Sequence, residues 1–336
     1  MIEATFPLLG AAFVVLVVLP AFALLAKAGL VLLERNGAGG PLRSLNLRYL
    51  LLTGSSVLPL AWLLSAGLHQ AETGQSVLAC LLDHDTAELC LEPGFFALLL
   101  AVAVLVSSLR VLRKRRGVEA SSSAAARALL RRIAAVPLLS GIADRVVVTE
   151  EHGFTLGTHG LLEPRVFMGV AFAAQLSDEM LAGALGHEAE HVRALDPLRY
   201  FSLEIALAVN PLGRFLLAPH AARWQAAREA HCDREAVVQG AAPLSLADAI
   251  VRAARPSARE AVALGARDTA VLELRIGMLL AFAERPPVRC CHQGPSAFRM
   301  ALVLLILALF LPHQTGTEPL DALHTGAEHT LTYFWR

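Results

Sequence analysis

From Ala4 to Ala26 the chain carries no charged residue. A run of that length meets the roughly 20 apolar residues that a membrane-crossing helix needs, and it predicts a first span over about 5–30. Two further apolar runs, Tyr49–Leu68 and Phe95–Leu109, predict spans over about 49–68 and 95–112. A last run, Phe298–Leu311, is shorter and predicts a fourth span over 297–311 with Arg299 snorkelling at its end. The first run has only Glu3 ahead of it and no basic leader, and its apolar part is too long for a secretory signal. It therefore reads as a permanent span.

Between the third and fourth runs the pattern changes. Residues 117–295 have the size of one folded unit. Three short β-like runs come first, Arg145–Thr149, Phe154–Leu156 and Arg165–Met168, punctuated by Gly153, Gly157, Gly160 and Pro164. A helix follows, with Ser177 as N-cap and Asp178 and Glu179 in the first turn, where negative charge suits the helix dipole. Pro197 ends it near Leu195. Further helical stretches cover roughly Leu198–Leu217 and Ala221–Val238, and another starts near Ser245. No internal repeat occurs. The expected fold is mostly α with a small β-sheet, in a multi-pass membrane protein with a domain on one side.

Charge assigns the side. The chain has 29 basic and 29 acidic residues in 336, is 55% hydrophobic and only 17% charged, with a mean hydropathy of +0.55. Soluble domains average about 45–50% apolar and 25% charged. This balance excludes disorder, a fibrous protein and nucleic-acid binding by bulk positive charge. Lys27, Arg35, Arg43 and Arg48 lie between the first two spans, and Arg110 and Arg113–Arg116 follow the third. No Lys or Arg falls between Arg48 and Arg110, or between Arg299 and Arg336. Basic loops stay cytoplasmic, so both termini are expected outside the plasma (inner) membrane and 117–295 inside. The loop 69–93 and the tail 312–336 are then extracytoplasmic. Cys80 and Cys90 share that outer loop, where a disulfide is permitted. Cys232, Cys290 and Cys291 fall on the reducing side, and the adjacent Cys290-Cys291 pair, poorly spaced for one tetrahedral zinc, reads as incidental thiols.

The capped helix contains His187-Glu188-Ala189-Glu190-His191. Histidines four apart project from one helix face and can bind one Zn²⁺, with Glu188 as general base toward water. Glu190 lies on another face, as a surface or ion-pair residue. A catalytic zinc usually takes three protein ligands. Downstream, Glu229 and Asp233 share a face at i, i+4. Glu229 is assigned as third ligand and Asp233 as the carboxylate that orients a ligand histidine. His231 and Cys232 are the alternatives. Leu198–Ala218 is apolar enough to suggest another span, yet it holds Arg199, Glu204 and Arg214, costly in lipid. A span there would also put Glu229 across the membrane from His187. The stretch therefore reads as a buried or membrane-surface helix of the cytoplasmic domain.

These residues resemble those of the BlaR/MecR-type membrane metallopeptidases, antirepressor sensors of the gluzincin class. Glu163-Pro164-Arg165-Val166-Phe167-Met168 is similar to that family's strand before the active helix, and Leu176–Leu181 to its helix start. His187–His191 matches its zinc motif, Asp196 its acidic residue after the motif, Asn210-Pro211-Leu212 its Asn-Pro turn, and Glu229–Asp233 its Glu-x-x-Cys-Asp segment. The resemblance implies a zinc metalloendopeptidase with ligands His187, His191 and Glu229, base Glu188 and supporting Asp233. It implies a protein or peptide substrate, such as a transcriptional repressor, and a role in signal transduction. Arg193 sits one place earlier than the family's arginine, and the tail after Leu311 is too short for a penicillin-binding sensor domain. A rival resemblance is to membrane quality-control proteases of the HtpX type, which share H-E-x-x-H and a downstream Glu-x-x-x-Asp. A catalytically silent receptor or scaffold is the third reading, opposed by the intact Glu188. Arg165–Gly169 is expected to offer the strand edge that aligns a substrate.

Overall fold

The computed structural model describes residues 14–35, 44–72, 120–150, 155–254 and 266–287, with five single positions between 102 and 109. The rest of the expected third span, the fourth span, the tail, the basic run Arg110–Arg116, and Cys80, Cys90, Cys290 and Cys291 lie outside the described residues. What is described is mostly helical with one small sheet.

Helix α1 (Leu19–Arg35) continues a π-helical turn, Val14–Val18, and α2 (Leu45–Glu72) runs back beside it. The helix over Val15–Arg35 is long and apolar enough to cross a membrane, with a mean hydropathy of 2.4. After α3 (Ala124–Ala134) come β1 (Val146–Thr149), β2 (Leu156–His159) and β3 (Arg165–Gly169). The sheet order is β1-β3-β2. β3 pairs parallel with β1, Val166 opposite Val146, and antiparallel with β2, Met168 opposite Leu156.

Two expectations change here. Of the Phe154–Leu156 run, Phe154 lies outside the described residues, and β2 continues past Leu156 to His159 because the reversal sits at Gly160 rather than Gly157. Gly160 has φ +102°, and a Cβ there would fall 2.5 Å from the Glu163 carbonyl oxygen, so only glycine fits. Gly157 instead lies within the strand, opposite Phe167. Second, β3 is flanked on both sides, so it cannot offer a substrate an edge; β2 has its outer edge unpaired among the described strands.

Strand alternation turns Val146, Val148, Val166 and Met168 inward onto α3 and onto α4 (Asp178–Ala194), where Leu181 and Leu185 are fully buried. Ser177 caps α4 as expected, its Oγ accepting from the Met180 amide at 3.2 Å. α5 (Asp196–Val209), α6 (Gly213–Val238), α7 (Pro243–Ala254) and α8 (Ala266–Glu284) complete the described chain. Gly183 lets α4 and α7 approach closely, since a Cβ there would meet Leu246 Cβ at 3.2 Å.

The expected break between two helices near residues 218–220 is absent, and α6 runs straight through Pro219. The chain turns instead at Asn210-Pro211-Leu212. Pro211 has no amide to continue α5. The Asn210 carboxamide accepts from the Leu212 amide at 3.1 Å and donates to the Leu19 carbonyl at 2.7 Å.

That second bond ties the α5–α6 hairpin to α1, and the contact continues along its length. The Ser56 hydroxyl donates to the Ala206 carbonyl, Tyr49 meets Ser202 at 2.6 Å, and the Trp224 indole donates to the Leu45 carbonyl. Leu203, Leu217 and Trp224 are buried in one cluster with Ala23, Leu30, Tyr49 and Leu52. At the other end of α1, Glu34 bonds His220 and Arg223 of α6. Segment 198–218 thus buries one face, and that core is shared with the first two apolar helices.

Candidate metal centre

His187 and His191 lie on the buried part of α4, both 6% exposed. Their Nε2 atoms are 3.1 Å apart. α6 brings Glu229 to both: its Oε2 is 3.3 Å from His187 Nε2 and its Oε1 3.4 Å from His191 Nε2. A tetrahedral zinc with bonds of about 2.05 Å would hold neighbouring donors roughly 3.3 Å apart. The two histidine nitrogens have about that spacing, and Glu229 meets each of them with a different oxygen at a similar distance.

The outer nitrogens are equally engaged. His187 Nδ1 faces Asp233 Oδ1 at 2.7 Å, and His191 Nδ1 faces Asp196 Oδ2 at 2.7 Å. Imidazoles that donate from Nδ1 to these carboxylates present Nε2 lone pairs to each other and to the Glu229 carboxylate. Three acceptors then converge on one point, which calls for a cation. His187, His191 and Glu229 would hold it.

Asp196 reaches His191 through a local turn. Leu195 adopts the left-handed conformation, φ 55° and ψ 41°, and closes α4 with its amide on the His191 and Val192 carbonyls. α5 starts at the next residue, so Asp196 folds straight back onto the zinc motif.

Each carboxylate is in turn clamped by an arginine. Arg275 of α8 grips Asp233 with Nε at 2.7 Å and Nη2 at 2.8 Å, and its Nη1 lies 3.2 Å from Glu229 Oε2. Arg228 of α6 donates from Nε to Asp196 at 2.6 Å and from Nη2 to the Glu190 side chain at 3.3 Å. Asp196 and Asp233 are fully buried. Burial alone would raise their carboxyl pKa values, but His191 and Arg228 beside Asp196, and His187 and Arg275 beside Asp233, hold both below the ordinary range.

The histidines respond in the opposite sense. Burial disfavours their protonation, yet Asp233 holds His187 above its usual value, and Cys232 and Asp196 hold His191 well above it. Glu229, against the pull of burial, is kept well below the carboxylate range by the two histidines. Tyr200 donates to Glu229 Oε1 at 3.3 Å; burial and the Glu229 charge raise its phenol well above normal, so it stays a neutral donor.

Glu188 faces the same site, and the Thr158 hydroxyl of β2 donates to its Oε2 at 2.6 Å. A cavity of about 530 Å³ opens there, lined by His187, Glu188 and Glu229 and walled by Leu156, Leu246 and Ile250.

The structure therefore brings together His187, Glu188, His191, Glu229 and Asp233. The two alternative ligands stand apart from the three-donor cluster. Cys232 is behind His191, its Sγ 3.6 Å from Nδ1, and burial pushes its thiol up to about 11. His231 lies beside Glu190, and burial with Arg228 pushes it down to about 4. Glu190 is an ion-pair residue, bonded to Arg228 and Arg193.

Sequence reasoning gave no role to Thr158, Tyr200 or Arg275, and placed Asp196 at the site only through resemblance. Arg275 left a trace: it is the one basic residue within Val271-Leu272-Glu273-Leu274-Arg275-Ile276-Gly277-Met278-Leu279-Leu280. A cation in such an apolar stretch needs a buried partner. Compared with known protein families, curated proteins and solved structures, the chain matches none.

Proposed function

We propose that this chain is a membrane-anchored zinc endopeptidase. The observation that carries the reading is the convergence of ligand atoms from His187, His191 and Glu229 within 4.8 Å of one another, with Glu188 lining the same cavity. Zinc bound there supplies Lewis acidity, polarising a carbonyl and making water a better nucleophile. The protein's own groups do the rest. Asp233 and Asp196 fix the histidine tautomers so that both Nε2 atoms face the centre. Glu188 takes the proton from water and returns it to the leaving amine. The outer edge of β2 aligns an extended peptide by backbone hydrogen bonds, and the apolar cavity wall receives one of its side chains.

The membrane part of the reading, a multi-pass protein of the plasma membrane, is supported by α1. Leu24, Leu25 and Leu32 are 53–68% exposed. An apolar stripe of that extent needs a lipid or protein cover. With Arg35 at the cytoplasmic end, Arg223 stands at the membrane surface beside Glu34. Glu229 follows six residues later, about 9 Å along the helix. A substrate would then be cut close beneath the bilayer, either a cytoplasmic protein such as a repressor or the cytoplasmic end of a membrane protein. Glu204 and Arg214 are exposed on the α5–α6 hairpin, and charges are costly in lipid, so that side of the hairpin faces water or protein.

The test is Glu188→Gln in the full-length protein. It should retain one zinc by elemental analysis and lose proteolysis, and comparison of cellular protein termini with wild type should reveal a cytoplasmic cut that disappears. Undiminished cleavage by this variant removes Glu188 as the base, and zinc-loaded wild type that cuts nothing removes the peptidase reading.

A further inference from the structure

β2 does more than border the cavity. Its alternation places Leu156 and Thr158 on one face. Leu156 lines the cavity, and Thr158 reaches α4 to donate its hydroxyl to Glu188 Oε2 at 2.6 Å. On the other face His159 packs edge-on against Phe167, ring centroids 5.4 Å apart. The strand is therefore fixed from both sides. A separation of 2.6 Å belongs to the charge-assisted class of O–H···O⁻ bonds, about 2.5–2.7 Å. Threonine is stiff at χ1, so its hydroxyl stands at a set position.

We infer that Thr158 is a positioning residue for the catalytic base: its hydroxyl holds one oxygen of the Glu188 carboxylate and leaves the other to accept the proton. This rests on the peptidase reading above. It adds that the strand that aligns the peptide also sets the orientation of the base. Misplacing a reacting group by about 1 Å can cost on the order of 100-fold in rate.

The experiment uses the full-length, zinc-loaded protein in detergent, with fluorescein-labelled casein as the probe. Thr158→Val removes the hydroxyl at nearly constant shape. It should lower kcat about 10–100-fold, leave KM within about twofold and leave zinc content unchanged, the pattern of a lost transition-state contact. Thr158→Ser should restore most of kcat. The second readout needs no turnover. The infrared carboxylate band of Glu188, isolated by subtracting the Glu188→Gln spectrum, should move in Thr158→Val and stay in Thr158→Ser. An unchanged kcat, or an unmoved band, in Thr158→Val overturns the inference. So does a serine variant as poor as the valine one. Should Thr158→Val fail to fold, Thr158→Ala is read by the same band. No cleavage of the casein by zinc-loaded wild type, with the band still moving in Thr158→Val, would sink the peptidase reading while leaving the contact.

Discussion

The 117–295 segment, expressed alone, should fail to assemble the metal centre. The cut removes α1 and α2, against which the α5–α6 hairpin is buried. Leu203, Leu217 and Trp224 are 0–1% exposed within that shared cluster. Uncovering a large apolar side chain costs about 1.5–3 kcal/mol, so these three together lose roughly 5–9 kcal/mol. Whole domains are stable by only about 5–15 kcal/mol. The fragment also strands the Trp224 indole, whose partner is the Leu45 carbonyl. Glu229 lies five residues beyond Trp224 on the same helix, so loss of the hairpin frays α6 at the ligand. The assay pairs a circular-dichroism melt with zinc stoichiometry and hydrogen exchange across α6. Co-expression of residues 1–116 should restore zinc binding. A soluble 117–295 fragment that melts cooperatively and holds one zinc would refute the reasoning.

Two other outcomes follow from single side chains. Asp233→Asn keeps the shape but turns an N–H toward either Arg275 or His187; zinc affinity by chelator competition should fall about 10–100-fold, and the melting temperature should drop, since breaking a buried pair costs about 3–5 kcal/mol. Asp248→Asn, whose pair with Arg252 is half exposed, is the control and should stay within about 0.5 kcal/mol; equal effects would argue that the Asp233 pair is incidental. Cys232, buried and with its thiol pushed up to about 11, should resist iodoacetamide at pH 8 in the native protein and react only after unfolding; peptide mapping that finds it alkylated in the native state would contradict the burial.

Local signals were legible in the sequence wherever one helix or one turn decided the outcome. Ser177 with Asp178 and Glu179 marked the start of α4, and the four-residue spacing of His187 and His191 fixed their common face. Where tertiary contact decides, the sequence was mute or misleading. Pro219 looked like a helix boundary, but a proline near the start of a long helix loses a single bond, and α6 absorbs it. Asn210-Pro211-Leu212 was legible as a turn only through resemblance. It is the true turn, because the Asn210 side chain serves both the turn and the Leu19 carbonyl of α1. No spacing within 198–218 could announce a partner some 190 residues away. The position of β3 between β1 and β2 is likewise a matter of strand order, which periodicity does not carry.

The same distinction separates the two supports of the metal centre. His191–Asp196–Arg228 closes within three consecutive helices, with the left-handed Leu195 bringing Asp196 back at short range. His187–Asp233–Arg275 does not close locally, because its arginine comes from α8, 42 residues beyond Asp233. α8 donates no ligand, yet Arg275 is the cation that touches both Asp233 and the ligand Glu229. Withdrawing α8 would leave a fully buried carboxylate opposed only by an imidazole, a state that costs several kcal/mol unless the group neutralises or the helix yields. The docking of α8 on α6 and α7 is therefore part of what holds the His187–Asp233 support in place, although nothing in His187–His191 itself refers to it.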